Sequence, residues 1–315
     1  VRNPYYWGTA PYYDEFDVRF YSQESTRYAD LQAGNLDAAY LTESTYIRNM
    51  NIGAVPDASL VSVSENSVYV FAMATTPLGA ASDEPSPFAD INVRKALAHC
   101  LNVESIIDNL GEGVYAVATS LVGENSWIYE ELGPYEYDPE LAAGYLAAAG
   151  YSVDNPLELT LYVESTAWNE ALATAIQADA AKIGINIDLS GMGDFSTAVL
   201  PMLISNQVAM TFSQASNGSG NDPGNLLQQY GPESNNTMLK VTDEHLIDLF
   251  TRGQASTDRG ERLGIYHEFM EGIIDQYLAI PLYVSTKNFG VNTAHTSFAA
   301  AIDSSNQVDP TLLTD

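Results

Sequence analysis

Residues 157–189 carry two hydrophobic periods in succession, and that order limits the folds open to the chain. Leu157, Leu159, Leu161 and Val163 alternate with Glu158, Thr160 and Tyr162, the period of two that a half-buried strand requires. Leu172, Ala175, Ile176, Ala180 and Ile183 then recur at helical spacing, and Gly184 supplies the stop. Ile185, Ile187 and Leu189 return to alternation, against Asn186 and Asp188. Strand, helix and strand within about 33 residues is the size of a βαβ unit. Its two strands must run parallel, because the helix carries the chain back to the starting edge.

The same periods recur elsewhere. Phe16, Val18 and Phe20 alternate with Asp17 and Arg19 and predict a strand over 15–21. A helix over Glu24–Gln32, closed by Gly34, and a strand over Leu36–Leu41 follow, so a second parallel pair is expected there. Val68–Ala74 is a nearly continuous apolar run, as in a strand covered on both faces. Pro77–Pro87 reads as a loop, Asp90 as a helix cap, and Val103–Leu110 as a helix stopped by Gly111. Residues 111–137 look irregular. Asp138-Pro139 then has cap and proline in the order that starts a helix, with Leu141, Tyr145, Leu146 and Ala149 as its apolar face. A helix over Phe195–Ile204, a strand over Val208–Phe212, helices over 224–230, 242–252 and 258–276, and a strand over Leu278–Val284 complete the pattern. The tail after Phe289 is small and polar. The sum is an open α/β fold without repeat or heptad.

Composition removes several functions. Acids number 41 against 12 bases, a net charge of −29, so the chain lacks the basic footprint that nucleic acid demands and is repelled by an anionic membrane surface. At 46% hydrophobic residues it has the material for one or two sizeable cores. Its single cysteine, Cys100, cannot form an intramolecular disulfide and lies in an apolar helical run with Val93, Ala96, Leu97 and Leu101, which predicts a small buried side chain. None of His99, His245, His267 and His295 pairs with another at metal-ligand spacing, so these read as surface or capping residues and no metal is expected. No nucleophile elbow or phosphate-binding loop occurs. Gly111-Glu112-Gly113 has Ala116 where a third glycine belongs and no strand before it, so it reads as a turn. Acid pairs such as Asp243-Glu244 and Asp83-Glu84 are expected by chance at this acid content. No catalytic residue and no cofactor is predicted. No stretch approaches the ~20 apolar residues of a membrane span. The opening Val1-Arg2-Asn3-Pro4-Tyr5-Tyr6-Trp7 reads as the middle of a folded protein, so the chain is expected to be part of a longer one.

What stands out instead is a polar loop that leaves a strand directly. Ser213, Gln214, Ser216, Asn217, Ser219 and Asn221 offer neutral donors and acceptors, and ligands of open α/β sheets sit at the carboxyl ends of strands. That composition suits holding a polar solute. It is equally that of a plain surface loop.

Several segments, taken together, resemble one family. They are Asn3-Pro4-Tyr5-Tyr6-Trp7-Gly8; the stretch Ser25-Thr26-Arg27 through Leu31-Gln32-Ala33-Gly34-Asn35-Leu36-Asp37; and Pro87-Phe88-Ala89-Asp90 with Val93-Arg94-Lys95-Ala96-Leu97. Further on come Tyr137-Asp138-Pro139-Glu140, Ala149-Gly150-Tyr151, Ile176-Gln177, Lys182-Ile183-Gly184-Ile185, Asp222-Pro223 and Ile280-Pro281-Leu282-Tyr283. Their order and spread resemble the family 5 extracellular solute-binding proteins, which include the oligopeptide and dipeptide receptors of ABC importers. Where that family has an aspartate in the turn that follows the Pro87–Leu97 segment, this chain has Asn102, also a good cap.

The resemblance implies an α/β, periplasmic-binding-protein-like type II (cluster C) fold of two lobes, with one lobe incomplete. Residues 1–66, with 285–315 returning, would form part of the first lobe, and 67–284 the second. Asn66, Ser67, Leu282 and Tyr283 would lie at the hinge. The implied function is capture of a peptide or other small polar solute by hinge closure, for the permease subunits of an ABC importer. The alternative is a ligand-sensing domain of a transcription regulator or a non-transport receptor. The implied location is extracellular, cell-surface anchored or periplasmic, with membrane contact only through an anchor outside this chain. Ligand contacts are expected from the 213–221 loop, from Trp168, whose indole either covers an apolar or sugar face or anchors the core, and from Tyr69. One departure bears on the ligand. Peptide-binding members place an aspartate three positions before the aspartate of the Asp222-Pro223 pair, where it meets a free amino terminus; here that position is Ser219, which supplies no counter-charge.

Overall fold

The computed structural model describes residues 5, 7–8, 12–42, 44–78, 85–111, 115–215, 222–234, 238–294 and 297. They fall into two units. One holds the described residues up to Glu65 and those from Ser285 onward; the other holds 66–111 and 115–284.

In the first unit, helix α1 (Glu24–Gln32) ends in a tight turn at Gly34, whose φ of +72° suits glycine, and strand β1 (Ala38–Leu41), helix α2 (Ser44–Asn51) and the first half of strand β2 (Ala58–Met73) follow. Tyr28 stacks on Tyr46 with ring centroids 4.3 Å apart, and Glu24 accepts from the backbone N–H of Thr42 at 2.7 Å. The alternation at 15–21 does not become a strand. Phe16, Val18 and Phe20 stay 48%, 60% and 95% exposed, and among the described residues no strand pairs with them. A strand without a neighbour has nowhere to place its backbone hydrogen bonds, so alternation alone does not make one. The expected parallel pair is therefore replaced by an antiparallel pair between β1 and a strand from the far end of the chain.

The second unit contains helices α3 (Ile91–Cys100) and α4 (Val103–Gly111), the short strand β3 (Ala116–Val117), helix α5 (Pro139–Ala148), strand β4 (Leu157–Thr160), helix α6 (Ala167–Ala181), strand β5 (Ile185–Asp188), helix α7 (Leu200–Ile204), strand β6 (Met210–Gln214), helices α8 (Pro223–Leu226), α9 (Glu244–Ala255) and α10 (Arg259–Asp275), and most of the apolar half of strand β7 (Ala279–Asn292). β4 and β5 are parallel, with Leu157 opposite Ile185 and Thr160 opposite Asp188, and α6 crosses between them, burying Leu172, Ala173, Ile176 and Ala180. β2 and β6 are antiparallel, from Tyr69 opposite Gln214 to Met73 opposite Met210. β7 neighbours β2, and its second half returns to the first unit, where Ala38 faces Val291 and the Ser62 hydroxyl donates to Asn288 at 2.7 Å.

β2 is covered on both faces in the second unit. Val68, Val70 and Ala72 join a core built with Leu249, Tyr266 and Phe269 of α9 and α10. Phe71 and Met73 join a core built with Leu97, Ile107 and Ile176 of α3, α4 and α6. Each fully buried aliphatic or aromatic side chain contributes about 1.5–3 kcal/mol, which accounts for the aliphatic and aromatic run from Val68 to Met73. Cys100 lies 1% exposed in the second of these cores, and burial raises its thiol pKa.

Acidic residues are placed where helices need them. Asp90, Asp138, Asp243 and Asp258 each accept from backbone N–H groups in the first turn of α3, α5, α9 and α10. Negative charge at a helix start is also favoured by the helix dipole. Asp138 accepts from both Glu140 and Leu141, at 3.1 and 2.9 Å. Asp138→Ala is expected to lower the unfolding free energy by about 1 kcal/mol, read as a shift of the urea midpoint, while Asp138→Asn retains most of it.

Three further sequence expectations are corrected. In α5 the buried residues are Ala142 and Leu146, while Leu141 is 40% exposed; a helix of small and apolar residues on every side does not fix its own phase. The helix expected over 195–204 divides into a π-helical turn (Phe195–Val199) and α7, because Pro201 has no N–H to continue one ladder. His99 is neither a surface nor a capping residue: it is 8% exposed on α3, with Nδ1 2.8 Å from the Glu136 carbonyl and Nε2 3.1 Å from the Tyr277 hydroxyl. Both ring nitrogens have partners, which is what lets an imidazole remain buried.

Candidate functional site

Four aromatic side chains of the second unit meet where β2, β3, β7 and the first turn of α6 come together. Tyr283 of β7 is the floor, 5% exposed. Tyr69 of β2 lies flat on it, centroids 4.8 Å apart and planes 4° from parallel. Tyr115, immediately before β3, meets Tyr283 edge-on at 5.2 Å and Trp168 of α6 at 4.2 Å. Trp168 meets Tyr283 at 5.2 Å and 80°. Tyr69, Tyr115 and Trp168 are each half-buried around the buried Tyr283 ring. Such pairs contribute about 0.5–1.5 kcal/mol each beyond the area they cover, enough to hold the wall in one arrangement.

The local sequence explains the convergence. Tyr69 shares its face of β2 with Phe71, and Thr166 accepts from the N–H of Asn169 at 3.1 Å to start α6, which sets Trp168 in the first turn. The pairing of Val117 with Tyr283 places Tyr115 beside β7.

The polar tips of these rings set the chemistry. Trp168 Nε1–H is closed to solvent and has no hydrogen-bond partner. The Tyr283 hydroxyl is its neighbour, and the interaction between the two lowers the tyrosine pKa. Burial acts the other way and more strongly on Tyr283, and burial likewise raises Tyr115; both hydroxyls therefore stay protonated at neutral pH.

The residues proposed from the sequence distribute as follows. Tyr69 and Trp168 belong to this cluster. Gln214 is opposite Tyr69 in the β2–β6 register and so shares its side of the sheet. Ser213 is opposite Val70 and lies on the other side. Ser216, Asn217, Ser219 and Asn221 lie outside the described residues. Of the hinge positions, Ser67 and Leu282 are buried at 3% and 1%, Tyr283 is the floor of the cluster, and the Asn66 side chain lies outside the described residues.

Asp222, at the far end of the polar loop, is a fastening. Its carboxylate accepts from the N–H of Gly224 at 2.9 Å and from Arg262 at 2.8 Å, and Arg262 also donates to the Gly253 carbonyl at 2.9 Å. An open concavity of about 600 Å³ adjoins it, lined by Asn225, Gln254, Ser256 and Thr257, and shares no residue with the aromatic cluster. The ion pair between Asp222 and Arg262 is already closed on itself, so the aromatic cluster is the better candidate for ligand contact.

Sequence reasoning missed Tyr115. Its signal is the alternation of Tyr115 and Val117, but a two-residue strand is too short for periodicity to stand out. Among the described residues no group of three or more histidine, cysteine, aspartate or glutamate side chains is disposed to hold a metal ion.

The family described as "Bacterial extracellular solute-binding proteins, family 5 Middle" matches residues 1–237. The nickel-binding periplasmic protein of Escherichia coli K12 is 26% identical over 306 residues, covering 90% of this chain and 56% of the relative. The dipeptide-binding protein of the same organism is 24% identical over 295 residues, covering 89% and 52%. Among solved structures, the ABC transporter substrate-binding protein CtaP of Listeria monocytogenes superposes with a TM-score of 0.78 at 18% identity, covering 94% of this chain and 60% of that one. The fold is thus the α/β periplasmic-binding-protein fold. The chain spans about half the length of the curated relatives it matches. Since the family match takes in 237 of 315 residues, this chain belongs to the bacterial extracellular solute-binding proteins of family 5.

Proposed function

We propose that this chain is part of the substrate-binding component of an ABC importer, capturing a peptide or related polar solute by hinge closure and presenting it to the permease subunits. The observation that carries the reading is the pair of unbroken strands, β2 and β7, that each run from one unit into the other, at Glu65–Asn66 and Val284–Ser285. A strand can flex at such a crossing while the cores on either side stay packed, and a solute favours whichever state it contacts better. Tyr69, Trp168 and Gln214, with Ser216, Asn217, Ser219 and Asn221 of the polar loop, are the ligand contacts in this reading, while Ser213, on the other side of the sheet, is not. The relatives are named for binding nickel and a dipeptide and the family for binding solutes, which supports assigning this chain binding and no catalytic step. We place the protein outside the cytoplasmic membrane, as with the periplasmic relatives; among the described residues no helix is long and apolar enough to cross a membrane.

Native mass spectrometry of the gently purified protein tests this. The expected result is a small molecule held by the folded protein, released intact on denaturation, whose uptake stops in cells lacking the protein. Chemical conversion of the bound molecule, or uptake that continues unchanged, counts against the proposal.

A further inference from the structure

We infer that the segment Phe195–Ile204 is a docking surface for the membrane partner, and that its occupant is an apolar outward-facing loop of a permease subunit. The inference rests on the receptor reading above and adds the surface through which the solute is handed on.

Three observations carry it. The first is apolar surface that the fold does not use. α7 reads Leu200-Pro201-Met202-Leu203-Ile204, and none of its five residues is buried. Val199, 1% exposed, seats the segment, and Met202 and Leu203 pack against the core of α9 and α10. Phe195, Ala198, Pro201 and Ile204 stay exposed, Phe195 by 42% and Ile204 by 78%. Each is three residues from the next, the spacing of surface neighbours along a helix. Ile204 is the most exposed of the large apolar side chains described in the second unit. Single exposed apolar residues are ordinary, whereas several in one short segment mark a contact surface.

The second is charge. No Asp, Glu, Lys or Arg occurs from Phe195 to Asn221, a run of 27 residues in a chain that is 17% charged. Asp194, just before it, is engaged in the cap: its carboxylate accepts from the N–H and from the hydroxyl of Thr197, both at 2.9 Å. This bears on the occupant. Two copies would bring together chains of net charge −29 each, and an anionic bilayer repels one. The outward loops of a membrane protein are short of Lys and Arg, which concentrate on the cytoplasmic side. Such loops offer little to pair with carboxylates, and an acid desolvated against them would stay uncompensated. A segment that itself brings no charge is the one they can cover.

The third is position. The Gly193 carbonyl accepts from Ser165 at 2.8 Å, and the Gly193 N–H donates to the Val163 carbonyl at 3.2 Å, so the segment starts at the carboxyl ends of β4 and β5. Ser165 stands next to Thr166, the cap of α6, whose first turn carries Trp168. At its other end the segment leads into β6, which ends at Gln214 opposite Tyr69. Ligands of open α/β sheets sit at the carboxyl ends of strands, and a partner that takes over the solute has to sit beside them.

Photo-crosslinking tests this with the full-length protein on membranes of its own host. A benzoylphenylalanine replaces Phe195 or Ile204, and in a control it replaces Val153, which is 67% exposed in the turn between Ser152 and Asn155. The expected result is a crosslink from positions 195 and 204 to a subunit of an ABC permease, identified by its peptides, and at least tenfold less from 153. Ile204→Asp is expected to cut the crosslink from position 195 at least tenfold and to stop uptake, while native mass spectrometry finds the same molecule retained, which serves as the folding control. The parent crosslink should persist at about 1 M salt, where exposed ion pairs are screened. Crosslinks to a second copy, to another part of the same polypeptide or to lipid alone, no crosslink at all, equal yield from position 153, or Ile204→Asp within twofold of the parent overturns the inference. The receptor reading is judged apart: a retained solute whose uptake continues with Ile204→Asp sinks this inference alone.

Discussion

Gly184→Ala is expected to unfold at a markedly lower urea concentration than the parent protein, with a loss of about 2–5 kcal/mol. Two costs combine at this position. The residue sits at φ +98°, in the left-handed region, where a Cβ costs about 1–2 kcal/mol. A Cβ built there would also lie 2.4 Å from the carbonyl carbon of Ser152, 2.5 Å from its oxygen and 2.6 Å from the nitrogen of Val153. These are backbone atoms, so no rotamer change relieves the contact, and overpacking of this kind costs about 1–3 kcal/mol. The surroundings cannot move away cheaply either. The Gly184 carbonyl accepts from Leu157 at 2.9 Å, the first link between β5 and β4. Gly150 is the internal control: its φ is +90°, yet a Cβ there meets nothing within 4 Å. Gly150→Ala should therefore lose only the backbone part, about 1–2 kcal/mol. Equal losses at the two positions, measured by urea unfolding followed by circular dichroism, would show that the close approach at Ser152 does not matter.

The turn at Gly184 is legible in the sequence alone, and the reason is physical. It closes a helix between two alternating strands, so three local signals agree on one turn. The aspartate caps are legible for the same reason: Asp90 and Asp138 stand immediately before helical runs and act within three residues of themselves. What the sequence hides is everything set by partners distant along the chain. The alternation at Phe16, Val18 and Phe20 is as regular as that of β4, but β4 has β5 to pair with. β1 pairs with β7 at Ala38 and Val291, and nothing within either segment announces the other. The strand expected over Leu278–Val284 stops where the apolar run ends, yet β7 continues to Asn292, and Asn288 within it is 3% exposed and accepts from Ser62.

The candidate site divides along the same line. Trp168 and Tyr69 are visible in the sequence as large rings at the ends of strands. That they meet at a common floor depends on four elements converging, and Tyr115 enters through a strand of two residues. The polar loop stands out by composition, but composition does not tell which side of the sheet a residue takes. Register does, and it sets Gln214 beside Tyr69 and Ser213 beside Val70.

Arg94 gives the second large effect. The residue is only 7% exposed, and its guanidinium makes no ion pair among the described residues. Instead Nη1 donates to the Phe88 carbonyl at 2.7 Å and to Ala89 at 3.3 Å, and Nε donates to Gln276 at 3.0 Å. Phe88 and Ala89 form the turn that leads into α3, and Gln276 caps the carboxyl end of α10, where the helix dipole favours a cation. Burial lowers the Arg94 pKa, and the charge of Asp90 offsets part of that. An arginine so lowered still holds its proton at neutral pH, so the charge is balanced by carbonyl dipoles. Arg94→Met keeps the volume and removes the donors, leaving three carbonyls without their partner. Hydrogen bonds to a charged group contribute about 1.5–3 kcal/mol each and do not add fully when they share one donor group, so a loss on the order of 3–5 kcal/mol is expected. Arg94→Lys retains the charge but not the planar fork, and a point donor cannot reach Phe88 and Gln276 together, so it should recover only part. Urea unfolding at low and high salt checks the account. The loss should change little with ionic strength, because the group is buried and its partners are dipoles. If Arg94→Met unfolds within about 1 kcal/mol of the parent, water reaches these carbonyls and the guanidinium is not what joins the entry of α3 to the end of α10.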